Sequence, residues 1–213
     1  MKSQSHAATG WPAAAIVGVF VLLSAAAGAA QSGGEEPVPE TFTATTANMD
    51  PEGTDLRFNV LRWSDDAERE AVLDVLTNAG TEPGDDGELD ALIELPTLGY
   101  VWPDGSALGY AIKYARRDAV ADGGERLTFV TGRRLGRFGR ESWTPEGTPD
   151  TALQPFTVIE LRLDGDGDGA GTMSPAADVA FDEANRTVAL TNYDAAPTLL
   201  AAAKRQPAPY WAR

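Results

Sequence analysis

An acidic run late in the sequence has the residue types and spacing of a metal-binding loop. Residues 163–174 read LDGDGDGAGTMS, and Asp164, Asp166 and Asp168 alternate with glycines. Three such carboxylates followed by glycine begin a calcium loop of the EF-hand type, which closes with a bidentate glutamate at its twelfth position. That position is Pro175, and the preceding segment FTVIELRL is strand-like, not helical. We therefore expect a structural loop; the alternative is a weak calcium site at the three aspartates.

The sequence contains almost no residues that could support histidine or cysteine chemistry. The only histidine is His6, and there is no cysteine. His6 lies in an N-terminal segment that we expect to be removed, so the mature chain would carry neither imidazole nor thiol. This excludes Ser-His-Asp and Cys-His catalysis and the usual zinc or copper sites. The sequence indicates no cofactor and singles out no catalytic residue.

Paired carboxylates are the remaining catalytic option. Glycoside hydrolysis requires two acids that face one cleft about 5–10 Å apart. Glu94, Asp104 and Glu160 are candidates, but nothing selects them among 32 acidic residues. Glu160 is expected on the solvent face of its strand, beside Arg162. A binding or interaction module is therefore the main expectation, and an envelope hydrolase with paired carboxylates is the alternative.

The N-terminus has the features of a secretory signal peptide. Lys2 precedes an apolar run, Ala13 to Leu23, and small residues continue to Ala30. This pattern predicts a signal peptide over 1–30 and a periplasmic or secreted protein; the alternative is an uncleaved membrane anchor. Residues 31–40, QSGGEEPVPE, predict a disordered linker, which leaves 41–213 as one β-rich domain.

Strand-like segments separated by turns dominate the rest of the chain. TFTATTANM and LRFNVLRW flank the turn DPEGTD. LGY occurs before and after PDGS, which predicts a β-hairpin whose second strand carries Leu108, Tyr110, Ile112 and Tyr114 on one face. Further strands are predicted in ERLTFVTGR, FTVIELRLD, VAFD and RTVALTNYD.

One main helix is predicted after the second strand. Ser64 would cap it, Asp65 would pair with Arg69, and AEREAVLDVLTNA would form its body. Shorter helices are predicted in ELDALIEL and from Pro197 onward, with Leu199, Leu200 and Ala203 on the buried face of the latter. The sequence thus predicts a mainly β, α+β fold: an antiparallel barrel or sandwich of about seven to eight strands with one main inserted helix.

Positive charge is concentrated in one part of an acidic chain. The net charge is −15, yet residues 113–140 carry eight basic and three acidic residues. Within them, GRRLGRFGR predicts a mobile basic arm whose Arg133, Arg134, Arg137 and Arg140 are candidates for anion binding. The alternative is that the arginines of residues 113–140 pair with the protein's own carboxylates.

The charge distribution and the N-terminal pattern indicate which partners to expect. They are an anionic component of the cell envelope or a small apolar ligand, and a nucleic-acid partner is not expected. After signal cleavage the protein is not expected to be an integral membrane protein.

Three segments also carry a resemblance to known proteins. FTATTANMDPEGTDLRFNVLRWSDDAERE, LGYVWPDGSALGYAIKYA and FTVIELRLD resemble a group of secreted, β-rich bacterial proteins. The resemblance covers most of the mature chain and implies export and one compact domain. It supplies no activity, cofactor or catalytic residue.

Processing of the N-terminus can be tested by mass spectrometry. Because small residues precede Gln31, the intact mass of the exported protein should match a chain that begins at Ala30 or Gln31. Recovery of the full-length chain from the membrane fraction would contradict the predicted cleavage.

Overall fold

The computed structural model describes residues 39–49, 53–78, 86–136, 156–174, 177–182, 187–193 and 196–207. Their strands and helices are β1 (Glu40–Thr46), β2 (Asp55–Val60), α1 (Asp66–Asn78), α2 (Asp86–Glu94), β3 (Gly99–Pro103), β4 (Tyr110–Ala119), β5 (Glu125–Thr131), β6 (Val158–Leu163), β7 (Asp168–Ser174), β8 (Ala177–Asp182), β9 (Thr187–Tyr193) and β10 (Thr198–Arg205). The predicted mainly β fold with one main inserted helix is confirmed.

Eight of these strands form a closed antiparallel barrel. Their order is β1-β10-β7-β6-β5-β4-β3-β2, and β2 pairs back onto β1. Closure satisfies both edges of every barrel strand with hydrogen bonds, so the barrel has no exposed edge. Of the two architectures that the sequence left open, the structure has the barrel. β8 and β9 form a separate two-stranded antiparallel sheet.

The barrel interior is apolar because strand residues alternate between its two faces. In β1, Phe42 and Ala44 are buried inside, whereas Thr41 and Thr43 lie on the outer face. Aromatic rings fill the centre: Phe58 and Phe129 stack with their centroids 5.5 Å apart. Trp63, from the loop after β2, stacks on Phe129 at 6.1 Å. This loop therefore contributes to the packing at one end of the barrel.

The helices cover part of the barrel's outer surface. A second buried cluster joins side chains of α1 and α2 to the outer faces of β4, β5 and β6 and to the residues before β6: Val72, Leu73, Leu76, Leu92, Tyr114, Val130, Phe156 and Val158. β5 is consequently buried on both faces from Leu127 to Thr131, and the residues of this stretch are apolar or threonine. Within the described residues, no helix is long and apolar enough to cross a membrane.

A β-bulge in β4 sends Tyr114 to the outer face. The pairing of β4 with β5 shifts register between Ile112 and Tyr114. Ile112 and Ala115 therefore both belong to the interior cluster, while Tyr114 packs in the outer one. The prediction that Tyr114 shares a face with Tyr110 and Ile112 was wrong, because a bulge adds one residue to the alternation.

Lys113, within the same bulge, fixes the end of α2. Its Nζ donates to the carbonyl oxygens of Ile93 and Leu95, each at 2.7 Å, and to Thr97 Oγ1 at 3.1 Å. A cation that satisfies the last carbonyls of a helix also interacts favourably with the helix dipole. Burial lowers the pKa of Lys113.

The C-terminal helix predicted from Pro197 was wrong, since this segment is strand β10. β10 pairs with β1 on one side and β7 on the other, and these neighbours supply its backbone hydrogen bonds. Its pairing with β7 is irregular between Leu200 and Ala203, and Ala202 adopts a positive φ of 47°. This irregularity interrupts the alternation of buried and exposed residues by which a strand is recognised in a sequence.

Strand β7 was missed because it is rich in glycine. A Cβ at Gly169 would overlap the carbonyl oxygen of Arg162 on β6, and one at Gly171 would overlap that of Glu160. β6 and β7 therefore approach more closely than a side chain at either position would allow. The glycines that give this segment the composition of a loop are required by its strand pairing.

Replacing Gly169 tests this close approach. Gly169→Ala should lower the free energy of unfolding by about 1–3 kcal/mol, because the added methyl group must push β6 and β7 apart. Gly165→Ala is the matched control, since its Cβ would meet nothing closer than the Gly123 carbonyl oxygen at 3.8 Å. Chemical denaturation measures both variants, and equal stability of the two would contradict this account of β7.

Candidate functional site

Four charged side chains from four strands meet at one end of the barrel. This charge network consists of Glu40 at the start of β1, Arg117 late in β4, Glu125 at the start of β5 and Arg205 at the end of β10. Arg205 Nη1 lies 2.7 Å from Glu40 Oε2, and Arg117 Nε lies 3.2 Å from Glu125 Oε2. Arg117 also pairs with Glu40, and Arg205 with Glu125. Each glutamate thus forms ion pairs with both arginines.

The charge network rests on the aromatic core. Arg117 lies 4.3 Å above the ring of Trp63, and Arg205 lies 5.3 Å from that of Phe42. Trp63 Nε1 donates to Glu40 Oε1 at 2.9 Å. Glu40 had been predicted as the last residue of a disordered linker; it instead belongs to β1, where barrel pairing and these contacts hold it.

The start of helix α1 is fixed by reciprocal hydrogen bonds. Glu68 N donates to Asp65 Oδ1 at 2.8 Å, and Asp65 N donates to Glu68 Oε2 at 3.2 Å, which together form a capping box. Arg62 donates to both carboxylate oxygens of Glu68, and these hydrogen bonds lower the pKa of Glu68. The predicted N-cap, Ser64, was therefore wrong by one residue.

Ser64 ties the loop before α1 to the barrel instead. Its backbone N donates to the Ala115 carbonyl at 2.8 Å, and its Oγ accepts from Ala115 N at 3.0 Å. Ala115 directly follows the bulge of β4. The first turn of α1 is consequently held against this strand.

This attachment buries Arg69. Only 5 % of the residue is exposed, and its Nη1 donates to Asp66 Oδ1 at 2.9 Å. The predicted partner was Asp65, which is engaged in the capping box instead. The other two guanidinium nitrogens, Nε and Nη2, are buried and have no hydrogen-bond partner. A buried donor without an acceptor is costly, and more so when it is charged.

Arg69 lines a cavity, the Arg69 pocket, of about 250 Å³. Its walls come from the loop before α1, the first turns of α1 and the outer face of β4: Trp63, Ser64, Asp66, Arg69, Tyr114, Arg116 and Arg117. Three of these residues are arginines and one is an acid. In a chain of net charge −15, this is a local concentration of positive charge.

The Nε and Nη2 of an arginine form the edge that binds an oxyanion with two parallel hydrogen bonds. In Arg69 this is the edge without an acceptor, whereas Nη1 is held by Asp66. Arg116 and Arg117 bind carboxylates of the protein itself, Asp118 at 2.7 Å in the case of Arg116. An oxyanion that reached this buried edge would gain a bidentate contact, and Arg69 itself lines the cavity beside it.

A second cavity lies on the outer face of β1, β2 and β3. This Trp102 cleft has a volume of about 520 Å³ and is lined by Thr43, Thr45, Asp55, Leu56, Arg57, Trp102, Pro103, Asp104, Gly105 and Ser106. Strand register places Thr43 opposite Arg57 and Arg57 opposite Trp102. An aromatic ring, hydroxyl groups and charged groups thus share one polar surface.

The aspartate run forms the turn between β6 and β7. Asp164 Oδ1 accepts from the backbone N of Asp166 at 2.9 Å and of Asp168 at 3.0 Å. Asp168 pairs with Lys204 at 3.1 Å. Within the described part of the chain, no three His, Cys, Asp or Glu side chains lie close enough together to hold a metal ion. The arrangement is that of a hairpin turn, and weak calcium binding stays untested.

The three acids nominated for hydrolysis lie on separate elements. Glu94 ends α2, Glu160 pairs with Arg162 at 2.9 Å on β6, and Asp104 follows β3. Asp104 lines the Trp102 cleft, where the second carboxylate is Asp55, a residue that the sequence did not single out.

The nominated basic segment begins as part of the barrel end rather than as an arm. Leu135 is buried in the interior cluster, and its N donates to Thr157 Oγ1 at 3.0 Å. Arg133 and Arg134 directly precede Leu135 and are half-buried. Arg137 and Arg140 lie outside the described residues. Ion pairing with the protein's own carboxylates, the alternative reading for residues 113–140, is observed for Arg116, Arg117 and Arg126.

Arg69 was missed as a site residue, although the sequence holds a signal for it. It precedes Val72, Leu73 and Leu76 by three, four and seven residues, so it lies on the buried stripe of α1. A lone arginine on such a stripe indicates a buried charge that needs a partner.

Comparisons of the chain with protein-family models, with curated protein sequences and with solved structures find no match.

The aspartate turn gives a testable distinction between its acids. Asp164→Ala should lower the free energy of unfolding by about 1–2 kcal/mol, because two backbone N–H groups lose their acceptor. Asp166→Ala should change it by less than about 0.5 kcal/mol, since this side chain is exposed.

Calcium at micromolar concentration should leave the melting temperature unchanged, because Asp164 and Asp168 are already engaged within the protein. A rise in melting temperature that Asp166→Asn abolishes would show that the turn does bind calcium.

Proposed function

We propose that this protein is an exported binding module that takes a small oxyanion, a carboxylate or phosphate group, in the Arg69 pocket. The export part of the proposal rests on the N-terminal sequence pattern, and the binding part on the geometry of the pocket. The anionic group could belong to a larger envelope component or to a free metabolite, because both present the same chemistry to the arginine.

The observation that carries the proposal is the unsatisfied edge of Arg69. A residue kept only for stability would have its donors paired, since unpaired buried donors cost about 1–3 kcal/mol each. Two such donors on one guanidinium are buried beside a cavity that Arg69 lines, and an oxyanion that reached them would satisfy both. Arg116 and Arg117 also line the pocket, where each is paired with a carboxylate of the protein.

The surroundings also favour binding over catalysis. The lining residues of the Arg69 pocket include no histidine, cysteine or lysine, so a nucleophile paired with a base is lacking there. Asp66, the one acid, is held by Arg69. The pocket has the donors to hold an anion and no evident group to transform it.

Replacing Arg69 separates binding from stability. Arg69→Met keeps most of the side-chain volume but removes the charge, so titration calorimetry at low ionic strength should show loss of phosphate and acetate binding. The free energy of unfolding should stay the same or rise by up to about 2 kcal/mol, because an incompletely paired buried charge is replaced by an apolar group. Binding by the parent should weaken with added sodium chloride.

Two further variants serve as controls. Arg69→Lys keeps the charge but lacks the bidentate edge, and it should bind at least about tenfold more weakly than the parent. Arg162→Met changes an exposed arginine on β6 and should bind like the parent. If the parent binds neither anion while Arg69→Met is destabilised by more than about 2 kcal/mol, the arginine is structural and the proposal fails.

A further inference from the structure

The Trp102 cleft lies on a different face from the Arg69 pocket and has a different chemistry. The Arg69 pocket faces the outer side of β4, whereas the cleft spans β1, β2 and β3. It is the larger of the two, at about 520 Å³ against about 250 Å³. The anion-binding proposal does not use it.

Aromatic side chains on the outer face of β3 are unusual for a solvated surface. Tyr100 and Trp102 are two residues apart and so point to the same side, and their ring centroids are 5.2 Å apart. Tyr100 is 37 % exposed, and Trp102 is partly exposed. Neither ring belongs to the two buried clusters. Exposed neighbouring aromatics of this kind mark binding surfaces.

Trp102 is held in position before any ligand arrives. The backbone of Gly109 lies directly against its indole, so that a Cβ at residue 109 would overlap the ring. Arg57, opposite Trp102 in the strand register, lies 5.9 Å from the ring centroid. A preorganised ring loses little conformational entropy on binding.

Hydrogen-bonding groups line the same cleft as the indole. Asp55 Oδ1 accepts from Thr45 Oγ1 at 2.6 Å, which orients this carboxylate at the edge of the cleft. Asp104 and Ser106 lie on the turn after β3, and Thr43 lies opposite Arg57. Hydrogen-bond donors and acceptors therefore share one cleft with the indole ring of Trp102.

We infer that the Trp102 cleft binds a sugar ring, a neutral pyranose of a saccharide. A pyranose has an apolar face of C–H groups that packs on an aromatic ring, and hydroxyl groups around its edge that both donate and accept hydrogen bonds. Carboxylate, guanidinium and hydroxyl side chains around an indole match that pattern.

The charges of the cleft argue against the other ligands that an aromatic surface can take. A quaternary ammonium would need the face of the indole, and Arg57 places a like charge near it. A purely apolar ligand would make no hydrogen bonds to the carboxylates of Asp55 and Asp104 that line the cleft. An anion would meet these two acids against one arginine.

The test is titration calorimetry of the full mature chain with five neutral oligosaccharides: maltotriose, cellotriose, mannotriose, lactose and triacetylchitotriose. At least one should bind saturably below about 10 mM. Trp102→Ala should weaken that binding by about tenfold or more, because the platform is lost. Arg57→Ala and Asp104→Ala should each weaken it by about three- to tenfold.

Controls separate this site from folding and from the Arg69 pocket. Arg162→Ala and Asp166→Ala make the same changes as the Arg57 and Asp104 variants at exposed positions outside the cleft, and should bind like the parent. Arg69→Met should retain saccharide binding even if it loses anion binding, so either proposal can fail alone. Because Trp102→Ala could disturb the packing of Gly109, its melting temperature is measured, and the Arg57 and Asp104 variants carry the test if it unfolds.

Three results would overturn the inference. The first is that none of the five saccharides binds at about 10 mM. The second is saccharide binding that is unchanged in folded Trp102, Arg57 and Asp104 variants. The third is tetramethylammonium binding to the parent that Trp102→Ala abolishes, which would assign the cleft to a cation instead.

Discussion

Pairing of the first strand with the last is the constraint on which the rest of the structure depends. β1 hydrogen-bonds to β2 on one edge and to β10 on the other, across more than 150 residues of sequence. Without this pairing, β1 and β10 would both be open edges, and the aromatic interior would be exposed between them. The pairing also brings Glu40 and Arg205 together, so the charge network exists only in the closed barrel. Closure thus positions both the apolar core and the charges that cover one of its ends.

The candidate anion site follows from how the chain leaves and rejoins this barrel. The loop after β2 contributes Trp63 to the core and attaches Ser64 to β4 beside the bulge. With the loop fixed at these points, α1 must start close to the barrel, and its first turn carries Arg69 into a buried position. The guanidinium retains one acid partner, Asp66, and lacks two. The energetic cost of two unpaired buried donors is tolerated when the surrounding contacts hold the conformation in place. Such costs are often found where a ligand completes the site.

Both candidate sites lie outside the barrel interior, and the alternation of residues along the strands explains why. Inward residues of the barrel strands are apolar and close-packed, so a ligand cannot enter the interior without displacing Phe58 or Phe129. Binding must therefore occur on the outer face or in the loops. On the outer face, β1, β2 and β3 present Trp102 with polar neighbours, while β4 and the first turn of α1 line the Arg69 pocket. Under the two proposals, the Arg69 pocket and the Trp102 cleft would discriminate between an anionic and a neutral ligand by charge.

The sequence by itself determined the elements whose evidence is local. β-branched residues predicted β1, alternation of apolar residues predicted β2, and the strand-like segments ERLTFVTGR and FTVIELRLD predicted β5 and β6. The PDGS turn predicted the hairpin of β3 and β4, and the apolar spacing of α1 predicted the main helix. Only the tertiary structure decided the features that depend on distant neighbours. β10 is a strand because β1 and β7 lie beside it, and β7 is a strand because its glycines admit the carbonyls of β6. Arg69 is buried and lines a cavity where the loop before α1 is attached to β4, about fifty residues away in sequence. Local patterns report on the preference of a segment for one conformation, whereas register, bulges and unpaired donors are set by contacts between segments, which a single sequence does not display.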